Sequence, residues 1–179
     1  ERRAAELRNI GAPEVTVITG DLADTKTADE IDAFLDARDC AVLINNAGFG
    51  SYGLFEEQDL GGELAMMEVN CAAAVELTGR LLPQLRKHGG AVMNVASTAA
   101  WQPTPYMASY GASKAFLLHW SLAINEELKG RGIPVVALCP GPTESEFFRR
   151  AGFTERPLAG WGQTGQQVVG TALRSLARR

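Results

Sequence analysis

The chain has little of what a metal site, a disulfide framework or a membrane span requires. Its two histidines, His88 and His119, are isolated from any cluster of cysteines and carboxylates, so no metal site is expected. The three cysteines, Cys40, Cys71 and Cys139, are odd in number, widely spaced and set in apolar segments, which favours reduced core thiols over disulfides. No apolar run reaches the roughly 18 residues of a membrane span, and no signal-peptide pattern is present.

An excess of positive charge is also lacking. Lys and Arg number 17 against 21 Asp and Glu, the formal net charge is -4, and no basic run is present, which argues against nucleic-acid binding. Hydrophobic residues make up 46% of a chain without internal repeats or linkers, enough to build one core. We therefore expect a single domain over residues 1–179, located in the cytoplasm.

What is present is an alternation of short apolar runs and helical patterns. The apolar runs cover residues 15–19, 41–44, 91–95 and 135–139, and each ends in a chemically distinctive turn. The helical patterns cover residues 1–9, 27–37, 63–82 and 106–129, with Thr27 to Glu30 read as a capping box and Pro83 as an interruption. Uniformly apolar strands alternating with helices predict an α/β fold, a doubly wound parallel sheet covered on both faces. Ligands bind such sheets beyond the carboxyl ends of the strands, where the distinctive turns fall.

Tyr110 and Lys114 form a Tyr-x-x-x-Lys pair, and Ser97 lies thirteen residues before the tyrosine at the end of an apolar run. Residues four apart share a helical face, so we expect the Lys114 ammonium beside the Tyr110 phenol, lowering its pKa from about 10 towards the working range. Ser97 could donate a hydrogen bond to a substrate oxygen. The set suits proton transfer at a carbonyl or an alcohol; a packed tyrosine beside a solvated lysine is the alternative.

The ordered set of motifs resembles that of the short-chain dehydrogenases/reductases, a family of single-domain NAD(P)-dependent oxidoreductases with a Rossmann-like fold. The matching segments keep the family's order and spacing: Asp21-Leu22, Asn45-Asn46-Ala47-Gly48, Asn70, Asn94-Val95-Ala96-Ser97, and residues 110–114 and 140–143. The resemblance is to the bacterial branch near 3-oxoacyl reductases. It implies an enzyme that acts on CH-OH groups, with NAD(P) as cofactor and NADP slightly favoured. A non-catalytic cofactor-sensing or interaction module is the alternative.

The resemblance also implies roles for individual residues. Tyr110 would be the acid/base, Lys114 would hold the nicotinamide ribose and tune Tyr110, and Ser97 would orient the substrate carbonyl. Asn70 would position a water in the proton relay, although its place on an apolar helical stripe also fits a structural hydrogen bond that kinks or anchors the helix. The implied cofactor contacts are Asp21 and Leu22 at the adenine, Asn46, Ala47 and Gly48 at the adenine-side ribose and sheet edge, and Pro140, Gly141 and Thr143 at the nicotinamide.

The substrate side is the least specific part of the pattern. We expect a small carbonyl or alcohol substrate, hydrophobic or carrying an acyl chain, held by an apolar wall. The residues expected in that wall, with core or dimer contacts as the alternative, are Trp101, Tyr106, Met107, Phe147, Phe148 and Phe153. Residues 154–165 are short for the lid that the family uses there. The family also commonly pairs helices between subunits, which implies a homodimer or homotetramer.

Gly48, Gly50 and Gly53 match the G-x-G-x-x-G phosphate motif after a strand. Residues 54–60 nevertheless intervene before the next helix, so we interpret residues 49–62 as a surface loop whose glycines serve turn geometry. The family's phosphate-binding strand, glycine-rich turn and second strand are missing from the sequence. We expect the natural polypeptide to carry about 40 further residues before Glu1, and residues 1–179 alone to bind NAD(P)H weakly.

Overall fold

A parallel sheet forms the centre of the computed structural model, which describes residues 2–12, 14–36, 38–153 and 162–177. Its strands are β1 (Val42–Asn45), β2 (Ala91–Val95) and β3 (Val135–Leu138), in the order β1-β2-β3. The register places Asn45 opposite Asn94, and Asn94 opposite Ala137. The predicted α/β fold with a doubly wound parallel sheet is confirmed, and three of the four predicted strands are present within one residue of their expected bounds.

Helices surround the sheet. They are α1 (Arg2–Asn9), α2 (Thr25–Leu35), α3 (Leu60–Met67), α4 (Ala73–His88), α5 (Ala108–Lys129), α6 (Phe147–Arg150) and α7 (Gly165–Ala177). A π-helical turn over Glu68–Ala72 joins α3 to α4, and 3-10 turns cover Phe55–Glu57 and Thr98–Trp101. None of the helices in the described ranges combines the length and the apolar composition needed to cross a lipid bilayer.

Successive residues of β2 point to opposite faces of the sheet, and each face has its own core. On one face Val92 packs with Leu81 and Leu85 of α4 and with Leu128 of α5. On the other face the neighbouring residue of β2, Met93, packs with Val136 and with Ala172 of α7. Both faces are therefore covered at β2 and β3, as the continuous apolar strands predicted, whereas on β1 Val42 and Ile44 share one face and are 44% and 52% exposed.

The predicted strand at residues 15–19 is wrong. Residues 14–20 have no regular secondary structure, and Val17 is 46% exposed. A strand exists only when a neighbour satisfies its backbone N–H and C=O groups, and within the described ranges no other segment pairs with this one. The outer edge of β1 is likewise without a neighbouring strand in the described residues, and Val42 and Ile44 are exposed there.

The predicted ends of two helices also need correction. Asp24, not Thr27, caps α2, because its side chain accepts a hydrogen bond from the Lys26 amide; the predicted end at Ala37 lies outside the described residues. Pro83 does not interrupt α4, which continues to His88 and ends at Gly89 in the left-handed conformation. The flanking Leu81 and Leu85 are fully buried, and their packing outweighs the backbone hydrogen bond that the proline removes.

Cysteine and histidine make no special site in the described part of the chain. Cys40 and Cys71 are buried free thiols, as predicted, and Cys139 is a half-buried free thiol at the end of β3. The His88 imidazole lies 2.8 Å from an Asp39 carboxylate oxygen near the surface. Among the described residues, no group of three His, Cys, Asp or Glu side chains is arranged to hold a metal ion.

Candidate active site

A cleft of about 490 Å³ opens beyond the carboxyl ends of all three strands. Eight of the predicted site residues line it: Asn46, Gly48, Ser97, Tyr110, Lys114, Pro140, Gly141 and Thr143. These residues lie close together because the turns that follow parallel strands all lie at the same edge of the sheet. The predicted set is thus brought together from three separate strand ends and from the first turns of α5.

Four predicted residues do not line the cleft. Asn70 lies behind it, and Ala47 is exposed beside it. Asp21 and Leu22 follow the segment that fails to form a strand, and the Asp21 carboxylate only caps its own turn by accepting a hydrogen bond from the Ala23 amide. The adenine contact implied for Asp21 and Leu22 therefore stays a prediction.

Tyr110 lies in the first turn of α5 and is 8% exposed. Ser97 caps the 3-10 turn that follows β2 by accepting a hydrogen bond from the Ala99 amide, at 3.1 Å, and its side chain is near enough to the Tyr110 phenol to lower the pKa of that group. Burial raises the pKa of Tyr110 above its usual value, and the nearby Ser97 opposes this only in part. The expected lowering of the Tyr110 pKa is therefore wrong for this arrangement.

The reason is the position of the Lys114 ammonium. Lys114 is one turn along the same helical face, as predicted, but its Nζ donates to the Val95 carbonyl at 2.9 Å and lies 5.9 Å from the centre of the Tyr110 ring. The side chain is 5% exposed, and burial lowers the pKa of Lys114 to about 8, a change that the nearby thiols of Cys71 and Cys139 oppose. Lys114 is thus a buried amine that can change its proton state near neutral pH, not a solvated lysine.

Asn70 occupies the π-helical turn and is 1% exposed. Its Oδ1 accepts from the Phe49 amide at 3.1 Å, and its Nδ2 donates to the Phe49 carbonyl and to Ser113 Oγ, both at 2.9 Å. These bonds engage both ends of the side-chain amide and join the turn to the loop after β1. They fit the structural alternative, in which Asn70 anchors the chain; its role in a water relay stays a prediction.

The predicted surface loop over residues 49–62 is confirmed for most of residues 49–59, which are exposed, but residues 60–62 belong to α3 and one glycine has a different role. The next helix begins only at Leu60, which confirms that the motif has no strand-turn-helix context. Only Gly53, at φ +149°, is a glycine of turn geometry. Gly50 is buried: a β-carbon there would lie 2.9 Å from Phe147 Cζ and 3.0 Å from Tyr110 Cδ2. Gly50 is therefore needed for close packing against the site.

Aromatic rings continue outward from Tyr110. The Phe147 ring lies 5.0 Å from the Tyr110 ring and tilted by 46° to it. Further ring contacts, each between consecutive members, join Phe147, Phe148, Phe153, Tyr52 and Tyr106. Of the predicted apolar wall, Met107, Phe147 and Phe148 line the cleft, whereas Trp101 is 68% exposed and lines a separate groove. Most of the predicted lid, residues 154–165, lies outside the described residues.

Sequence reasoning missed a buried polar ladder beneath the cleft. Asn45 Nδ2 donates to Asn94 Oδ1 at 2.8 Å across the β1–β2 pair, and Asn94 Nδ2 donates to Ser121 Oγ on α5 at 2.8 Å. Asn45 Nδ2 also lies within hydrogen-bonding distance of Thr78 Oγ1 on α4. The available signal was an asparagine at the same position of two adjacent apolar strands. These hydrogen bonds help to fix the register of β1 against β2, and therefore the relative positions of Asn46 and Ser97, which follow the two strands.

Comparison with known proteins agrees with this geometry. The sequence model of a family described as short chain dehydrogenase matches residues 1–155. Serine 3-dehydrogenase of Agrobacterium fabrum is 33% identical over 152 residues, covering 82% of this chain and 61% of that protein. Ketoacyl reductase HetN of a Nostoc species is 40% identical over 101 residues, covering 56% of this chain and 35% of that protein.

Solved structures show the same similarity. A short-chain dehydrogenase from Sphingobium yanoikuyae in complex with NADPH superposes with a TM-score of 0.89 at 32% identity. The superposition covers 98% of this chain and 69% of that chain. The present chain thus spans most of a solved relative, but only 35% and 61% of the two curated relatives above.

Proposed function

Because the chain belongs to the short chain dehydrogenase family, we propose that the protein is an NAD(P)-dependent oxidoreductase that reduces a carbonyl or oxidises a secondary alcohol. The observation that carries the proposal is the Tyr110 phenol, which lines a single cleft with Ser97 and with the buried Lys114 one helical turn away. A phenol, a hydroxyl and an amine so placed are the groups that proton transfer at a carbonyl requires.

The cleft offers groups that suit a nicotinamide nucleotide. Asn46, Lys114 and Thr143 line it, and their amide, ammonium and hydroxyl groups match the hydroxyls of a ribose and a carboxamide. The bound nicotinamide would supply or accept the hydride. The similar Sphingobium protein was solved with NADPH, which supports NADP as the preferred form.

The proton chemistry follows from the chain's own residues. Ser97 would donate its hydroxyl proton to the substrate oxygen in a hydrogen bond, and Tyr110 Oη would donate the proton that completes the alcohol. Since burial raises the pKa of Tyr110, the phenol holds this proton at neutral pH and is in the form needed to act as the acid in reduction. Lys114 would hold the cofactor ribose and, when protonated, would stabilise the phenolate left by the transfer.

The substrate that we propose is small and hydrophobic, or an acyl chain that carries a carbonyl. Its support is the apolar wall of the cleft, formed by Met107, Phe147, Phe148, Val168 and Val169. Mostly apolar pockets with a few placed polar groups are typical of small-molecule sites. Here the polar groups are Ser97 and Tyr110, and a substrate bound in the cleft would place its carbonyl oxygen beside them.

The test is Tyr110→Phe in the natural polypeptide that contains these residues. Loss of the phenolic proton should lower kcat at least about 10²-fold, while the fold, followed by circular dichroism, and the affinity for NADPH are retained. Near wild-type reduction of a hydrophobic ketone by the variant would contradict the acid role of Tyr110. Tight NADPH binding without turnover in the wild-type protein would instead favour a non-catalytic cofactor-sensing module.

We also propose that the protein is a homodimer or homotetramer. Leu64 on α3 and Phe116 and Leu122 on α5 are 59%, 42% and 52% exposed, an apolar set that a second subunit could cover. Sedimentation velocity that finds only monomer at micromolar concentration would count against this assembly.

A further inference from the structure

Glu63 is a buried carboxylate that the proposed reaction does not use. It lies in the first turn of α3 and is 6% exposed, and its Oε1 accepts a hydrogen bond from Ser51 Oγ at 2.5 Å. Within the described ranges, no lysine or arginine forms an ion pair with it. The amino-terminal end of a helix favours a negative charge, and the hydroxyl of Ser51 satisfies an oxygen that burial removes from water. Among the described residues, the side-chain hydrogen bond of this buried carboxylate therefore goes to the loop after β1.

Side chains fix that loop at two points, on either side of Gly50, and beyond them the Gly53 amide donates to the Tyr106 carbonyl at 2.9 Å. On one side Asn70 binds both the amide and the carbonyl of Phe49. On the other side Glu63 binds Ser51. The residue between the two points approaches the rings of Tyr110 and Phe147 so closely that a β-carbon would clash with both. Movement of the loop by a fraction of an ångström would thus be felt at these two rings.

We propose that Ser51 and Glu63 are positioning residues that hold Gly50 against Tyr110 and Phe147, so that the phenol stays aligned with Ser97. The proposal rests on the oxidoreductase function proposed above. Asn70 fixes the backbone at Phe49, and the bond from the Gly53 amide to the Tyr106 carbonyl fixes it three residues beyond Gly50. The bond between Ser51 and Glu63 holds the residue directly after Gly50, where the contact with the two rings is made.

The alignment of a reacting group governs turnover more than it governs the affinity for the cofactor. Ser51→Ala should therefore lower kcat about 10-fold, with the dissociation constant for NADPH changed less than about 2-fold. Ser51→Thr keeps the hydroxyl and should restore kcat. Glu63→Gln keeps a carbonyl oxygen as acceptor and should retain more activity than Glu63→Leu, which has none. Glu56→Gln makes the same chemical change on an exposed carboxylate of the same connection and serves as the matched control.

Hydrogen–deuterium exchange supplies a second measurement that needs no substrate. Ser51→Ala should speed the exchange of amides in residues 46–53, whereas amides in the middle of α5 should keep their wild-type rates. Unchanged exchange in residues 46–53 would overturn the proposal, and so would a loss of kcat that Ser51→Thr does not restore. If the wild-type protein reduces no carbonyl substrate, the proposed function fails, while the exchange rates of the loop still decide whether the pair fixes it.

Discussion

The segment of residues 15–19 and strand β2 have similar apolar sequences, yet only β2 is a strand. In β2, Val92 is fully buried and its backbone pairs with β1 and β3. In the other segment Val17 is 46% exposed, and residues 14–20 are without regular structure. An apolar, β-branched sequence is therefore compatible with a strand but does not by itself form one. The segment becomes a strand only where neighbouring strands satisfy its backbone hydrogen-bonding groups.

The helices of the two regions differ in the same way. Helix α5 packs directly on the sheet, and Leu117, Leu118 and Leu128 are buried. Helix α2 is joined to α4 by polar contacts and by one apolar contact: Arg80 lies 2.8 Å from Asp29, Gln84 Nε2 donates to the Leu35 carbonyl, and the Leu35 side chain packs against the core that contains Leu81 and Leu85. The amino-terminal region is thus attached by a few partly exposed polar groups together with Leu35, whereas the sheet region is held by an extensive core.

The largest expected effect concerns Lys114 in the sheet region, because burial of this amine makes the free energy of unfolding depend on pH. Its pKa is about 8 in the folded state against 10.5 for an unperturbed lysine. Between these values the unfolded chain binds more protons, so the contribution of Lys114 to the free energy of unfolding should rise with pH from 8 to 10.5, by about 3 kcal/mol in total. Urea denaturation of the wild type and of Lys114→Met across this range measures it.

The comparison with Lys114→Met is needed because other buried groups titrate with the opposite sign. Burial raises the pKa of Tyr110 and of Cys71, so both reduce stability as the pH rises past their ordinary values of 10.0 and 9.0. These groups remain in the variant, and the difference between the two proteins reports Lys114 together with its effect on the Cys71 and Cys139 thiols, whose pKa values it lowers. Equal pH slopes would mean that the amine is solvated.

A matched pair of substitutions makes the comparison of the two apolar segments direct. Val92→Thr buries a hydroxyl group that has no hydrogen-bond partner in the apolar core, and it should lower the free energy of unfolding by about 2 kcal/mol. Val17→Thr, in a polypeptide of residues 1–179, should change it by less than about 0.5 kcal/mol. Urea midpoints measure both. Equal costs would show that residues 15–19 acquire a strand partner.

The smallest effect is expected at the contact between the two regions. Arg80→Gln removes the ion pairs with Asp29 and Glu76 at the surface. Hydrogen–deuterium exchange of α2 should become faster, and that of α5 should not change, because surface ion pairs contribute little to global stability. High salt should produce the same change in the wild type. Faster exchange in α5 would show that the two regions unfold together.

Local spacing was sufficient to predict the central part of the site. Tyr110 and Lys114 share a helical face because they are four residues apart, and Ser97 reaches the same cleft because it follows a strand of the same parallel sheet. The direction of the Tyr110 pKa could not be predicted this way. It depends on burial and on the Val95 carbonyl that binds Lys114, and neither is encoded near the tyrosine.

The wrong predictions for Pro83 and Gly50 also arose from contacts between residues that are far apart in the sequence. Pro83 is a helix breaker by propensity, yet α4 continues because Leu81 and Leu85 pack in the core. Gly50 was read as a turn glycine, but its lack of a side chain matters for rings that lie 60 and 97 residues later, at Tyr110 and Phe147. Propensity and periodicity describe a residue's neighbourhood in sequence, and tertiary packing decides these cases.

The π-helical turn over Glu68–Ala72 determines how α3 is rotated about the helix axis relative to α4. A π turn closes its hydrogen bond over one residue more than an α turn, and each residue of an α-helix advances roughly 100° about the axis. Deletion of one residue from this turn would restore a uniform helix and rotate α3 by roughly that angle relative to α4. Glu63 would then face away from Ser51, although no side chain had changed its chemistry. The alignment of the cleft is therefore encoded partly in the number of residues in one helical turn, and an insertion or deletion there would be as damaging as a substitution in the cleft.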